Sequence, residues 1–464
     1  MLFLKLKTIM LFRFLKYVQP VWYFNLSSKS TLPLFVDYTK IDSSYKELIK
    51  YDSAYSSTEG SLRDAAYQAW HKGIVLFDPS LQLSNSGNLL PVEDEYRFVR
   101  KYYNSIWSVY VLVIRLLSFH NPFGEVRSFF KAYNLQRSDL YKNVYNWEDY
   151  HSFESELVKR EPLVSVIIPT LNRYEFLKDV MLDLESQSHK NFEVIVIDQS
   201  EPFQKGFYEG WNLKLQAIHQ YEKALWLARN TAIRLAKSEF ILLYDDDSRV
   251  EPDWIAQHLK CLDFFKVDIS AGVSLSVIGA KIPTNYSFIR WADQFDTGNV
   301  LIKKDVFRKI GLFDRQFERQ RLGDGEFGLR AYLAGCIGIS NPYAKRIHLK
   351  VAKGGLRQMG SWDGFRPTKI TSPRPMPSVI YLSKRYFGKD MAIYDLLIKV
   401  PSSVLPFKYK RNTTLLVVGS LLAILVFPFI LFQVIKSWKI ANGMIKRGPV
   451  IDRLPCPDEQ YRFV

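Results

Sequence analysis

Residues 227–248 read LARNTAIRLAKSEFILLYDDDS. Ala224 to Ala236 has the texture of a helix, and Glu239 to Tyr244 is an apolar run of strand length. Asp245, Asp246 and Asp247 follow it directly. In an extended chain, residues two apart face the same side, so Asp245 and Asp247 can address one site together. Adjacent carboxylates repel one another, and oxygen ligands of this kind suit Mg²⁺ or Mn²⁺. Acid runs also occur on solvated loops; the position of this one, straight after a buried strand, favours a site.

Upstream, Leu163 to Pro169 is a short β-branched run, Tyr174 to Gln187 is helix-like, and Phe192 to Asp198 is a second buried run. Strands alternating with helices predict an α/β fold with a mostly parallel sheet and flanking helices. In such sheets ligands bind beyond the carboxyl ends of the strands. Polar residues fall there: Thr170, Asn172 and Arg173 after the first strand, Asp198 at the end of the second, and Asp245 to Asp247 after the next.

Several stretches occur in one order: VSVIIPTLNR (164–173), VIVIDQS (194–200), the 227–248 stretch, and RLGDGEFGLRAYLAG (321–335). Together they resemble the family 2 glycosyltransferases of the GT-A fold, over about 162–360. The resemblance implies that Thr170 and Asp198 line the base and ribose pocket, with Asn172 and Arg173 beside them. It implies that Arg229 and Asn230 brace the nucleotide side, although Arg229 also fits an ordinary helix-surface cation. Asp245 and Asp246 would bind the nucleotide-sugar, and Asp247 would hold a Mg²⁺ or Mn²⁺ bridging the two phosphates.

Asp324 falls on the family's catalytic-base position, and Glu326 on a second acidic position as reserve acid or acceptor binder. Gly323 stands where the family commonly has Glu, and a helix N-cap also suits Asp324. His348, in RIHLKVAKGGLR (346–357), would close the metal site, or else be structural. The Gly354–Gly355 pair, among Lys350, Lys353 and Arg357, looks like a basic loop able to close over phosphates. FDTGNVLIKKDVFRKIGLFD (295–314) resembles the acceptor side, with a helix from Asp305 to Ile310 ending at Gly311.

The remaining sequence bears on location. The chain has 464 residues and a formal net charge of +16. Its apolar and aromatic content excludes a wholly disordered chain. Three scattered cysteines form no disulfide framework and suit a reducing compartment. Residues 1–24 mix Lys5, Lys7, Arg13 and Lys16 into apolar residues, as in a basic amphipathic segment lying in a membrane interface or a helix packed on the protein body. Residues 413–435 carry no charge, are long enough to span or re-enter a bilayer, and have basic flanks and a possible kink at Pro428. Ile106 to Phe119 reads as a core or interfacial helix.

The expected organisation is therefore an N-terminal region at 1–160, a catalytic domain at 161–360, a helical linker at 361–411, a membrane helix at 412–436 and a basic tail at 437–464. The expected function is transfer of a sugar from a nucleotide-sugar donor to a glycan or lipid-linked acceptor, with inversion. It would serve cell-surface polysaccharide assembly at the cytoplasmic face of the cell membrane. Two alternatives are a non-catalytic scaffold of the same fold and a nucleotidyltransferase, although PTLNRYEF is not a Gly-rich phosphate loop. Nucleic acid has only the net charge in its favour, so no nucleic-acid partner is expected.

Overall fold

In a computed structural model, the chain forms two compact units. One comprises Met1–Asn146 with Ser383–Lys399, the other Trp147–Leu382 with Val400–Val464. The structure describes residues 11–22, 25, 34–84, 88–276, 281–351, 354–355, 364–367, 369–406, 409 and 412–455.

The first unit is helical, with helices Thr58–His71, Val92–Tyr102, Ser105–Leu117 and Pro122–Tyr133. The described part of the N-terminal segment is packed into its core rather than lying in an interface. Phe12, Phe14 and Leu15 are fully buried, and Phe12 stacks on Phe98 with ring centroids 3.8 Å apart. The buried Glu95 carboxylate accepts from the backbone N–H groups of Arg13 and Phe14 at 3.0 and 2.9 Å, which fixes the segment's direction. Residues 1–10 of the basic start lie outside the described residues.

The second unit is built on a nine-stranded sheet in the order β3-β2-β1-β4-β8-β6-β9-β5, with β7 paired to β9. The strands are β1 Val164–Thr170, β2 Phe192–Asp198, β3 Lys214–His219, β4 Phe240–Tyr244, β5 Ser248–Val250, β6 Ile269–Leu275, β7 Arg290–Trp291, β8 Asn299–Lys303 and β9 Gly338–His348. Strands β1 to β4 pair in parallel, as do β6 and β9. β8 runs antiparallel between β4 and β6, so the sheet is mixed although most of its strands share one direction. β1 is buried on both faces along its whole length, as expected of a central strand covered by helices. Helices Tyr174–Glu185 and Leu225–Leu235 make the crossovers.

β1 leads on to β2 on one side, whereas β4 lies on its other side. This reversal opens a crevice between the carboxyl ends of β1 and β4, the usual ligand position in open α/β sheets. Thr170 and the 245–247 aspartates stand at its mouth.

Residues 147–160 belong to this unit because they are bonded to it. Asp263 accepts from Ser155 Oγ at 2.6 Å and from Leu157 N–H at 3.0 Å. Residues 450 and 452 are likewise bonded to this unit. The Leu312 N–H donates to the Asp452 carbonyl at 2.8 Å, and the Arg315 N–H to that of Val450 at 2.9 Å. The apolar 413–435 run forms helices Thr413–Leu425 and Phe427–Arg447. No single helix among the described residues is long and apolar enough to cross a membrane. Val418–Leu425 and Phe427–Arg447 meet that test together, bent by 87°. The break falls at Val426, next to the Phe427–Pro428 start of the second helix, where proline supplies no N–H to a preceding turn.

Candidate active site

The crevice is a cavity of about 420 Å³, within the usual range for small-molecule sites. Its wall includes Thr170, Arg173, Trp226, Arg229, Asp245, Asp246, Asp247, Asp296, Asp324, Arg346 and His348. Lys223, Arg319 and Arg321 add positive charge to the lining.

The floor is a carboxylate–guanidinium lattice. Arg346, fully buried on β9, donates to Asp245 Oδ2 at 2.8 Å, to Asp296 Oδ2 at 2.9 Å and to Ser274 Oγ at 2.7 Å. Arg229, buried in its helix, donates to Asp245 Oδ1 at 2.7 Å and to the Thr297 carbonyl. Burial alone would raise the Asp245 carboxyl; the neighbouring Arg346 and Arg229 instead hold it well below the ordinary value. Arg173 donates to Asp246 Oδ1 at 2.8 Å, and Thr170 Oγ1 donates to Asp246 Oδ2 at 2.8 Å. Burial pushes the Asp246 carboxyl up to about 6; Arg173 opposes the rise and the Asp247 charge adds to it.

Asp245, Asp247 and His348 each offer one ligand atom, and these atoms lie within 4.8 Å of one another. His348 Nε2 is 3.3 Å from Asp247 Oδ1. Asp247 Oδ2 is buried and accepts no hydrogen bond, although the Arg173 guanidinium lies 3.2 Å away. Two carboxylates and an imidazole make a donor set that fits Mg²⁺ or Mn²⁺. His348 reaches the cluster because β9 pairs with β5, in the register Ser248 to His348.

Asp324 lies in the first turn of helix Gly323–Leu333, whose N-cap is Leu322, so it is not the capping residue. Its carboxylate accepts from Gly325 N–H at 2.7 Å. Burial and the nearby Asp296 charge push it up to about 6, despite the helix N-terminus. It is thus a half-buried carboxyl at the cavity wall, apart from the three-residue cluster.

Residues 165–313 match the family model described as glycosyl transferase family 2. The match covers about a third of the chain, and over that stretch the chain is similar to this family. The chondroitin synthase of Escherichia coli is 29% identical over 248 residues, covering 42% of this chain and 36% of that protein. Glycosyltransferase GlyA of Streptococcus pneumoniae is 26% identical over 167 residues, covering 34% of this chain and 22% of that protein. The matches thus span about a third or less of these relatives' lengths. The solved structure of S. aureus TarS 1–349 with UDP-GlcNAc aligns at TM-score 0.38 and 18% identity, covering 54% of this chain and 75% of that one.

Within and just beyond the matched stretch, eight expected residues converge on the cavity: Thr170, Arg173, Arg229, Asp245, Asp246, Asp247, Asp324 and His348. Four do not line it. Asn230 instead clamps a backbone, donating to the Phe313 carbonyl at 3.0 Å and accepting from the Phe313 N–H at 2.9 Å. Glu326 is buried and paired with Arg330 one helical turn on, at 2.8 Å, so it cannot readily serve as a reserve base. Asn172 is exposed at positive φ, and its amide oxygen accepts from Glu201 N–H. Asp198 accepts from the Tyr174 and Tyr208 hydroxyls at 2.6 and 2.8 Å, beside the crevice.

Arg346, Asp296 and Trp226 are among the wall residues that lie outside those expected from the sequence. The first two sit inside quoted motifs, two residues before His348 and one before Thr297. An arginine two residues from a suspected ligand on the same strand shares its face, and that was the available signal. The Gly354–Gly355 pair does approach the site. Gly355 N–H donates to the Leu171 carbonyl at 2.8 Å, and a Cβ on either glycine would run into Arg173. Lys353 and Arg357 lie outside the described residues.

Proposed function

We propose that this chain is a metal-dependent glycosyltransferase that moves a sugar, with inversion, from a nucleotide-sugar donor to a hydroxyl of a glycan or lipid-linked acceptor. The observation that carries this reading is the convergence of Asp245, Asp247 and His348 at the β1–β4 crevice, with Asp324 on the same cavity wall. Asp245, Asp247 and His348 would hold Mg²⁺ or Mn²⁺, which when bound neutralises charge on the departing nucleoside diphosphate. Arg346 and Arg229 keep Asp245 ionised and fixed. Lys223, Arg319 and Arg321 give the cavity the positive charge that a diphosphate needs.

Asp324 takes the proton of the acceptor hydroxyl as its oxygen attacks the anomeric carbon. The bond from that carbon to the phosphate oxygen breaks, and the nucleoside diphosphate leaves with the electron pair. A single displacement of this kind inverts the centre. The chondroitin synthase similarity supports an acceptor in polysaccharide assembly.

Membrane association at the cytoplasmic face is part of the proposal; the bent pair at 418–447 supports contact with a membrane, as a broken span or a re-entrant pair. Helix Phe427–Arg447 buries Ile430, Gln433, Ser437, Ala441 and Met444 along one stripe. Its other side and the preceding turn expose Leu425, Phe429 and Phe432 at 78%, 65% and 59%. Lys436, Lys439, Lys446 and Arg447 add positive charge suited to anionic lipid.

Calorimetric titration with UDP and with GDP, in Mn²⁺ and in chelator, tests the site. The expected result is binding of one diphosphate that requires the metal and disappears in Asp247→Ala. Absence of binding by both diphosphates in Mn²⁺, or binding indifferent to the metal, would overturn the assignment.

A further inference from the structure

Helices Ser105–Leu117 and Pro122–Tyr133 of the first unit bury a mixed polar and apolar side and expose a largely apolar one. The inward side of the first helix carries Ser108, Val111 and Arg115, and that of the second carries Glu125, Ser128, Phe129 and Ala132. Arg115 and Glu125 form a buried ion pair at 2.5 Å, and the Tyr96 hydroxyl donates to the other Glu125 oxygen at 2.9 Å. The outward side is apolar. Ile106, Val109, Val113 and Leu117 recur at helical spacing along one exposed stripe. The turn between the helices adds Phe119, 97% exposed, and Phe123, 86% exposed, and Phe130 continues the surface at 64%.

This turn is a built feature rather than a loose loop. Phe119 holds a left-handed backbone at φ +58°, a conformation costly for a bulky side chain. The His120 N–H donates to the Arg115 carbonyl at 3.2 Å, and Asn121 Oδ1 caps the second helix through Phe123 N–H at 3.1 Å. Within 105–133 the exposed charges are the cations Arg127 and Lys131, and the one acid, Glu125, is buried; Lys131 is paired with Glu93 of the neighbouring helix, which leaves Arg127 as the cation not held by that pair. Half-buried Trp107 and Tyr110 flank the stripe, as aromatic residues do at the polar edge of a bilayer.

We infer that this hairpin is a second membrane-docking element, which inserts Phe119 and Phe123 into the headgroup–acyl boundary of an anionic bilayer. It does not depend on the catalytic assignment or on the 418–447 pair. An apolar surface facing out over an interior that contains a buried ion pair matches a surface whose solvent is lipid. Arg127, one helical turn beyond Phe123, then meets anionic headgroups, with Lys131 a turn further on.

The test uses the full chain with Cys456→Ser and Phe123→Cys, labelled with an environment-sensitive fluorophore; Cys261 and Cys336 are buried. Vesicles of phosphatidylcholine, with and without phosphatidylglycerol, are added with brominated acyl chains as quencher. The expected result is a blue shift and quenching at position 123, stronger with phosphatidylglycerol. Arg127→Gln with Lys131→Gln should weaken that preference by up to about thirtyfold, taking roughly a fivefold factor per cation. A matching label in Phe432→Cys reports on the 418–447 pair separately. Vesicle binding with an unmoved signal at 123 overturns the inference and leaves the other membrane contact intact. A shift at 123 that grows with protein concentration without vesicles also overturns it, in favour of a second copy of the chain as the occupant. Retained nucleoside diphosphate binding by the labelled chain keeps either result separate from the active-site reading.

Discussion

The assignment of Asp324 as the base predicts the shape of the pH–rate profile. Its carboxyl is raised to about 6 by burial and by the Asp296 charge. A base works only when ionised, so kcat/KM should fall on the acid side with an apparent pKa near 6. At pH ~5 roughly a tenth of such a carboxyl is ionised, a tenfold loss from the plateau, whereas an ordinary aspartate would still be almost fully ionised. Asp296→Asn removes the neighbouring negative charge, so the acid limb should move to lower pH. Asp324→Asn should lower kcat by about 10²–10⁴-fold, the usual contribution of a positioned base. The linkage has a definite sign. The folded state binds this proton more tightly than the unfolded chain, so the carboxyl costs stability above about 6. That cost fades as pH falls, and Asp324→Asn should raise Tm at neutral pH more than at pH ~5. The assay is nucleoside diphosphate release against pH, with and without acceptor. An acid limb near that of a free aspartate, or near-normal turnover by Asp324→Asn, would refute the role.

Other perturbations follow from the same lattice. Arg346→Ala strips Asp245 and Asp296 of their shared buried cation and should cost about 3–5 kcal/mol in chemical denaturation; a loss below about 1 kcal/mol would show that the lattice is not a structural unit. Gly298→Ala would drive a Cβ into Arg346 Nη1 and Asp245 Oδ2, so metal-dependent nucleotide binding should drop sharply in calorimetry while the circular dichroism spectrum persists. Unchanged affinity would mean that the Asp245–Arg346 pair does not set the site. Leu425→Gln, Phe429→Gln and Phe432→Gln together should release the chain from membranes without detergent to a greater extent than the parent, as measured by sedimentation. Truncation is a poorer probe, because residues 450 and 452 are bonded to 312 and 315.

The β-branched runs at 164–169 and 192–198 and the apolar run before the three aspartates are buried on both faces, so their burial is written into composition and they are readable as strands. The same holds for Thr170, Arg173 and the aspartates, because polar residues at strand ends have few alternatives in this architecture. What was not readable depends on pairing between distant segments. β8 enters antiparallel between β4 and β6, and nothing local distinguishes its apolar run from a parallel strand. Arg346 looks like one more basic residue until β9 lies beside β6 and brings it to Asp296 and Asp245. Asn230 sits one position from Arg229 and Glu326 two from Asp324, and the helical turn points them at Phe313 and Arg330 instead of the cavity. The composition of Ile106 to Phe119 is that of a core or interfacial helix; the burial of Arg115 in an ion pair with Glu125 reveals which side faces inward.

The most direct measurement of the central claim is turnover with a panel of nucleotide sugars, reading nucleoside diphosphate release in Mn²⁺, in Mg²⁺ and in chelator, for the parent chain and Asp247→Ala. The account predicts release from at least one donor that requires a divalent ion and is abolished in Asp247→Ala. No release from any donor in either metal, or release unchanged in Asp247→Ala, would contradict it.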